Sequence, residues 1–202
     1  SGFSPIQVII VLIASSAFSS EISCFFLSIW SVSLTNFMLL TIYIIIFMFK
    51  KRDNIKEVEE GKYLAPKFDE NGLIPVVTTD FQTGGILMHG YMNEEALKKT
   101  IENKEAYYWS RSRNKIWHKG QVSGFVQKIK EIRIDDDQDS IWMSVDIGNG
   151  ASCHVGYRSC FYRSIPLGKI ENDEKIEIKF EEKNKVFDPK KIYKDEPNPT
   201  KL

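Results

Sequence analysis

Apolar and polar residues alternate most strictly from Ile141 to Ile147, with Ile141, Met143, Val145 and Ile147 on one parity and Trp142, Ser144 and Asp146 on the other. Successive strand side chains point to opposite faces, so this stretch reads as a half-buried strand. The period changes at Asn93. That residue can cap a helix, Glu94 and Glu95 suit its positive end, and Ala96, Leu97, Thr100 and Ile101 form one stripe. The stripe predicts one clear helix lying on the sheet. Residues 107 to 117 read as a further strand, which would put Tyr107, Trp109, Arg111, Arg113, Lys115 and Trp117 on one face. Gly120, Ser123 and Gly124 read as a turn, and Ile176, Ile178 and Phe180 as a short edge strand. The predicted class is α+β, mainly β with one helix, built as a folded mixed sheet or pseudo-barrel.

Hydropathy divides the chain further. Glu21 is the only charged side chain among residues 1–49, and residues 25–49 are uncharged throughout. That run exceeds the roughly 20 residues needed to cross a bilayer. Lys50, Lys51 and Arg52 follow at once, and the positive-inside rule would hold the remainder in the cytoplasm. Three readings stand for residues 1–52: a membrane anchor, a targeting segment that is removed, or an upstream stretch joined by a misassigned start. The last is preferred, with a cytoplasmic enzyme as its consequence and a membrane-anchored one as the alternative. Residues 53–61 read as a linker, 62–168 as one domain, and 169–202 as an extension in which 18 of 34 residues are charged, too polar for a second core.

Charge and cysteine content exclude two classes. With 27 basic and 27 acidic residues the chain lacks the basic excess of a nucleic-acid enzyme, and three cysteines do not make a disulfide framework. They leave metal chemistry open. Asp135, Asp137 and Asp139 alternate along an apparent strand end, which would place three carboxylates on one face about 6.6 Å apart. Such crowding favours a divalent cation, although a solvated acidic turn has the same composition. Cys153 and Cys160, with His154 beside the first, offer the soft ligands preferred by Zn²⁺. Upstream, WSRSRNKIWHKGQVSGFVQ (residues 109–127) mixes bases, aromatics, glycines and hydroxyls as a phosphate- and ring-binding surface does.

Taken in order, LIPVVTTDFQTGGILMHGYMNEEALKKTIENKEAYYWSRSR, WHKGQVSGFVQ, DDDQD and ASCHVGYRSCFYR closely resemble phosphoribosyl-AMP cyclohydrolase, over about residues 72–163. The resemblance implies Mg²⁺ on Asp135, Asp137 and Asp139. It implies Zn²⁺ on three cysteines shared across a homodimer, of which this chain has Cys153 and Cys160. The family's acidic motif is commonly Asp-Cys-Asp-x-Asp, and Asp136 stands at the cysteine position. Asp136 then replaces a thiolate with an oxygen ligand; in the alternative, Asp136 is solvated and His154 or His118 completes the site.

The implied reaction is attack of water at C6 of an N1-substituted adenine with cleavage of the N1–C6 bond, the third step of histidine biosynthesis. His118 is the residue expected to carry the proton, since histidine titrates near neutrality, unless it only orders its loop. The implied substrate, phosphoribosyl-AMP, carries two phosphates. Trp109, Arg111, Arg113, Trp117, Lys119, Ser123 and Arg158 are expected to bind its ring and phosphates. In some organisms a pyrophosphohydrolase domain follows; here phosphoribosyl-ATP pyrophosphohydrolase is expected on a separate chain. Two rivals remain: a zinc-stabilised binding module without catalysis, and another zinc purine hydrolase. The H-x-E signature of the zinc deaminases is absent.

Overall fold

The computed structural model describes residues 49–168 and 175–194, with 198 and 200. The chain divides into two units, Ser1–Lys50 and Lys51–Leu202. Every element named here belongs to the second, and residues 25–48 of the expected membrane span lie outside the described residues. Among the described residues no helix is long and apolar enough to cross a membrane.

In chain order the elements are α1 (Ile55–Glu59), β1 (Ile74–Asp80), β2 (Ile86–Met92), α2 (Glu94–Asn103), β3 (Tyr107–Ser110), β4 (Lys115–His118), β5 (Lys128–Ile134), β6 (Ile141–Asp146), β7 (Arg163–Ser164), β8 (Lys179–Phe180) and α3 (Pro189–Tyr193). Four strands form an open sheet in the order β2-β1-β6-β5. The β1–β2 and β5–β6 pairs are antiparallel and β1–β6 is parallel, so the sheet is mixed, as expected. Helix content exceeds the single helix predicted, because α1 and α3 add one short turn each. Of the expected 176–180 edge strand only Lys179–Phe180 pairs, with Arg163 and Ser164.

The strict alternation at 141–147 does form β6, with Ile141, Met143 and Val145 buried. Ser144 is buried as well, so this strand is covered more completely than a half-buried one. The predicted helix is α2: the Asn93 side chain accepts from the Ala96 N–H at 2.9 Å, and Ala96, Leu97 and Thr100 are buried. Ile101 departs from the stripe and remains exposed. Burying Leu97 alone contributes on the order of 2 kcal/mol.

One face of β1 sets the character of the core. Ile74, Val76, Thr78 and Asp80 share a parity and all four are buried, running from apolar to polar along the strand. The polar end needs partners. Thr78 Oγ1 meets the Tyr108 hydroxyl at 2.7 Å, and that hydroxyl donates to Gln127 Oε1 at 2.8 Å. Gln127 Nε2 in turn donates to Ser152 Oγ at 2.9 Å and toward Met88 Sδ at 3.4 Å. Tyr108 packs this tightly because β2 has Gly90 beneath it, where an added Cβ would lie 2.8 Å from the ring.

Two strand readings are corrected. Residues 107–117 form a hairpin rather than one strand: β3 pairs with β4 in register Tyr107↔His118, and Arg111 to Asn114 make the turn, with Asn114 at φ 51°. Asp135, Asp137 and Asp139 lie in the turn after β5, not on a strand end. Gln138 adopts φ 58° there and is buried, accepting from the Ala65 N–H at 2.7 Å and donating to the Val58 carbonyl at 2.8 Å. Val58 belongs to α1, so residues 53–61 carry a helix docked on this turn.

Candidate active site at the cysteine loop

Cys153 and Cys160 flank a tight loop. Gly156 N–H bonds the Cys153 carbonyl at 3.1 Å, Cys153 N–H bonds the Tyr157 carbonyl at 3.2 Å, and Cys160 N–H bonds the Leu87 carbonyl of β2 at 2.7 Å. These turn the two side chains toward each other: Cys153 is buried, Cys160 lies at the exposed rim, and both are free thiols. The Cys160 thiol hydrogen-bonds the Cys153 sulfur, which lowers Cys153 to about 6, with burial opposing and the Val155 and Tyr157 backbone and Lys119 assisting. The same contact, with burial, raises Cys160. The contact thus makes Cys153 the more acidic thiol of the two.

Lys119 lies against this pair. It is 2% exposed, with its ammonium 5.3 Å from the Trp117 ring centre. Burial lowers its pKa, opposed by the charges of Cys160 and Cys153. Next to it, Gly120 has φ +91°, and an added Cβ would lie 2.3 Å from the Phe125–Val126 backbone, so this turn closes only on glycine. Ser123 falls in the same turn and accepts from the Phe125 N–H at 3.4 Å.

Arg158 points inward. Its guanidinium donates from Nε to Asp80 Oδ2 at 3.1 Å, from Nη2 to the same oxygen, and from Nη1 to the Gly148 and Gly150 carbonyls at 2.9 and 3.1 Å. Burial would raise the Asp80 pKa, but Arg158 and the Gln82 N–H hold it below its ordinary value. Arg158 thus ties β1 to the 148–158 loop.

The ring-binding candidates gather on the β3–β4 hairpin. The Arg111 guanidinium sits 4.1 Å over Tyr91, and that of Arg113 sits 5.5 Å over Trp117 while donating to Ser110 Oγ at 3.0 Å. Trp109 lines a shallow cavity of about 550 Å³ with Asn71, Leu73, Asn93 and Lys98. His118 stacks on Tyr107 at 4.4 Å, and its Nε2 lies 2.9 Å from the Glu105 carboxylate, an approach by distance rather than an aligned hydrogen bond. His154 is kept toward its neutral form by burial, against a hydrogen bond to Asn198.

Asp135, Asp137 and Asp139 do converge, each presenting an oxygen within 4.8 Å of the others. Asp135 Oδ1 accepts the Asp139 and Ser140 N–H groups, both at 2.9 Å, which shapes the turn. Lys67 places its ammonium 3.3 Å from Asp137 and 3.1 Å from Asp139. Hydrogen bonds to Asp139 and Asp137 raise its pKa, as a cluster that favours positive charge should. Three converging oxygens fit a hard cation. Two free thiols on one tight loop fit zinc. Neither His118, His154 nor Asp136 joins the cysteines in a three-ligand cluster among the described residues.

Sequence reasoning missed Asp80, Gln127, Ser152, Lys67, Glu105 and Glu182. Asp80 had a signal, since it continues the buried parity Ile74, Val76, Thr78, and a carboxylate there requires a cation. Glu182 had none: its carboxylate accepts the Arg158 and Ser159 N–H groups at 2.8 and 2.9 Å, yet in sequence it is one acidic residue among many.

Comparison with known proteins gives the class first, because the curated relatives are cyclohydrolases and this chain is accordingly a hydrolase acting on a cyclic amidine. The model of the phosphoribosyl-AMP cyclohydrolase family matches residues 88–162. A phosphoribosyl-AMP cyclohydrolase of Rhodopseudomonas palustris (strain BisB18) is 48% identical over 142 residues, covering 69% of this chain and 93% of the relative. Another, from strain BisA53, is 51% identical over 138 residues, covering 68% and 92%. One from Bradyrhizobium diazoefficiens is 46% identical over 138 residues, covering 68% and 95%. The chain belongs to the phosphoribosyl-AMP cyclohydrolase family.

Proposed function

We propose that the chain hydrolyses the N1–C6 bond of the adenine ring of phosphoribosyl-AMP, a step of histidine biosynthesis, as a cytoplasmic zinc-dependent homodimer. The observation that carries the reading is the hydrogen-bonded loop that brings the free thiols of Cys153 and Cys160 together beside the buried Lys119 side chain. Cys153 and Cys160 would hold zinc, which when bound would supply a water acidified enough to act as nucleophile at neutral pH. Cys153, whose pKa lies below the ordinary thiol value, would release its proton to solvent at little cost on binding the metal. Asp136, exposed in the β5–β6 turn, supplies the third ligand from a second copy of the chain. Asp135, Asp137 and Asp139 hold Mg²⁺ in place of the Lys67 ammonium.

The protein's own groups bind and orient the nucleotide. Arg111 and Arg113 are exposed on the hairpin turn and take phosphate, while Trp109 or Trp117 stacks on the ring. His118, stacked on Tyr107 with the Glu105 carboxylate near its Nε2, carries the proton to the departing ring nitrogen. Lys119 places its amine against the sulfurs, and Ser123 lies in the turn beside it. Arg158 is assigned to bracing the cysteine loop rather than to phosphate, since its donors already face protein oxygens.

The test is ring opening of phosphoribosyl-AMP followed by absorbance with the purified full chain. Turnover is expected to vanish on chelation or in Cys153→Ser and to return with Zn²⁺ but not with Mg²⁺ alone. Undiminished turnover by a demetallated preparation refutes the reading, and metal binding without turnover favours a structural zinc module.

A further inference from the structure

We propose that Glu182, in the segment after β8, is a positioning residue for the Cys153–Cys160 loop, holding the two sulfurs in the arrangement that grips the metal. The inference rests on the reading that these cysteines are zinc ligands, and it concerns a residue beyond the 88–162 span that the family model matches.

The loop's backbone donors show why a brace is needed. Ser152 N–H, Cys153 N–H and Gly156 N–H find carbonyls within the loop itself, and Cys160 N–H reaches β2. The N–H groups of Arg158 and Ser159, immediately before Cys160, are taken instead by the two oxygens of a single carboxylate: Glu182 Oε2 at 2.8 Å and Oε1 at 2.9 Å. Both bonds are half-buried, and one bidentate carboxylate fixes the direction of both peptide planes. The Cys160 side chain leaves the backbone one residue later. Its aim is therefore set partly by a side chain that lies 22 positions further along the sequence.

Glu182 is itself held firmly. Glu181 N–H and Glu182 N–H approach the Tyr162 carbonyl at 2.9 and 3.4 Å, and Phe180 pairs with Arg163. Tyr157 from the loop stacks on Tyr162 at 4.0 Å, with Phe180 5.8 Å from Tyr162. Beyond it, Val186 N–H bonds the Gly156 carbonyl at 2.7 Å, and Phe187 packs on Phe125 at 5.3 Å. An added Cβ on Gly156 would lie 2.4 Å from the Phe187 carbonyl oxygen, so loop and segment touch backbone to backbone. The charged extension is thus a strap across the cysteine loop, with Glu182 as its contact to the ligand-bearing peptides.

The experiment titrates the full chain, demetallated, with Co²⁺ and reads the sulfur-to-cobalt charge-transfer band, with urea unfolding of the apo protein measured in parallel. Glu182→Ala is expected to weaken Co²⁺ binding by about 10- to 100-fold and to alter the band. Glu182→Gln, which keeps one acceptor oxygen, should fall between it and the native chain, and it carries the test should the alanine variant fail to fold. Glu181→Ala, which removes a carboxylate bonded to Ser164 and Lys179, should bind Co²⁺ normally. Native affinity and band in both Glu182 variants overturn the proposal. So does an equal loss in Glu181→Ala, which would make the strap a general stabiliser, and so does a lower unfolding midpoint with unchanged affinity. If Cys153→Ser also binds Co²⁺ normally, the zinc reading fails and takes the proposal with it; if it loses binding while Glu182→Ala does not, only the proposal fails.

Discussion

Replacing Asp80 with asparagine removes a buried negative charge while keeping its shape. Asp80 is 2% exposed, and its Oδ2 accepts two hydrogen bonds from Arg158 while Oδ1 accepts the Gln82 N–H at 2.9 Å. Asparagine retains the Gln82 contact but can turn an amide N–H toward the guanidinium. Breaking a fully buried pair from one side costs about 3–5 kcal/mol. The Arg158 side chain is 31% exposed, so water recovers part of that and the expected loss is about 2–3 kcal/mol. For a chain of this size each kcal/mol lowers Tm by about 2–4 °C, which predicts a fall of about 4–12 °C.

The pH dependence has a definite sign. The folded pKa of Asp80 lies below its unfolded value of about 3.9, so the pair's stabilisation is fully present above that pH and is lost as pH falls through the folded pKa. Urea unfolding of the native chain and Asp80→Asn should differ by the same amount at about pH 7 and about pH 5. The curves should then converge below about pH 4. A difference under about 0.5 kcal/mol at neutral pH, or one that persists undiminished in strong acid, refutes the assignment of Asp80 as the charged anchor of Arg158.

Other outcomes follow from single contacts. Gln127→Leu leaves the buried Tyr108 hydroxyl with Thr78 alone and removes the donor to the buried Ser152 hydroxyl, and should cost about 1–3 kcal/mol, read as a lower urea midpoint at unchanged slope. Gly90→Ala drives a methyl to 2.8 Å from the fully buried Tyr108 ring and should cost about 1–3 kcal/mol by the same measurement. Lys67→Ala removes the ammonium that bridges Asp137 and Asp139, so Mg²⁺ affinity measured calorimetrically at low salt should rise severalfold; a weaker Mg²⁺ response would mean that Lys67 organises the turn.

What could be read from the sequence was what local chemistry decides. The alternation of 141–147 and the Asn93 cap each depend on residues a few positions apart, and both appear as β6 and α2. The 107–117 segment was misread because alternation continues through a hairpin turn. Only Asn114 at φ 51° betrays the reversal, and asparagine is one of the few residues that adopts it at low cost. The aspartates were placed on a strand for a similar reason, since Asp135, Asp137 and Asp139 keep a two-residue spacing while Gln138 turns the chain. Their convergence survives the correction: a turn held by the Asp135 carboxylate gathers the three groups as a strand face would have spread them. Arg158 and Glu182 were opaque because their partners lie 78 and 24 or 23 positions away, and nothing in the neighbouring residues distinguishes a bracing charge from a solvated one.

The cysteine loop combines aromatic packing at Tyr157 with a set of directional polar contacts, and the geometry of β1 explains where the latter arise. The buried face of β1 passes from Ile74 and Val76 to Thr78 and Asp80, so its polar end faces the loop's partners. From Thr78 a hydrogen-bonded line runs through Tyr108 and Gln127 to Ser152, the neighbour of Cys153; from Asp80 a charged line runs through Arg158 to Gly148 and Gly150; and from the far side Glu182 takes the donors before Cys160. Apolar packing alone resists compression but tolerates sliding, whereas each of these braces has direction. Three of them, arising from separate parts of the chain, restrain the loop on both sides of the sulfur pair. For the zinc site proposed above, directional bonds of this kind supply a rigidity that contact area alone does not.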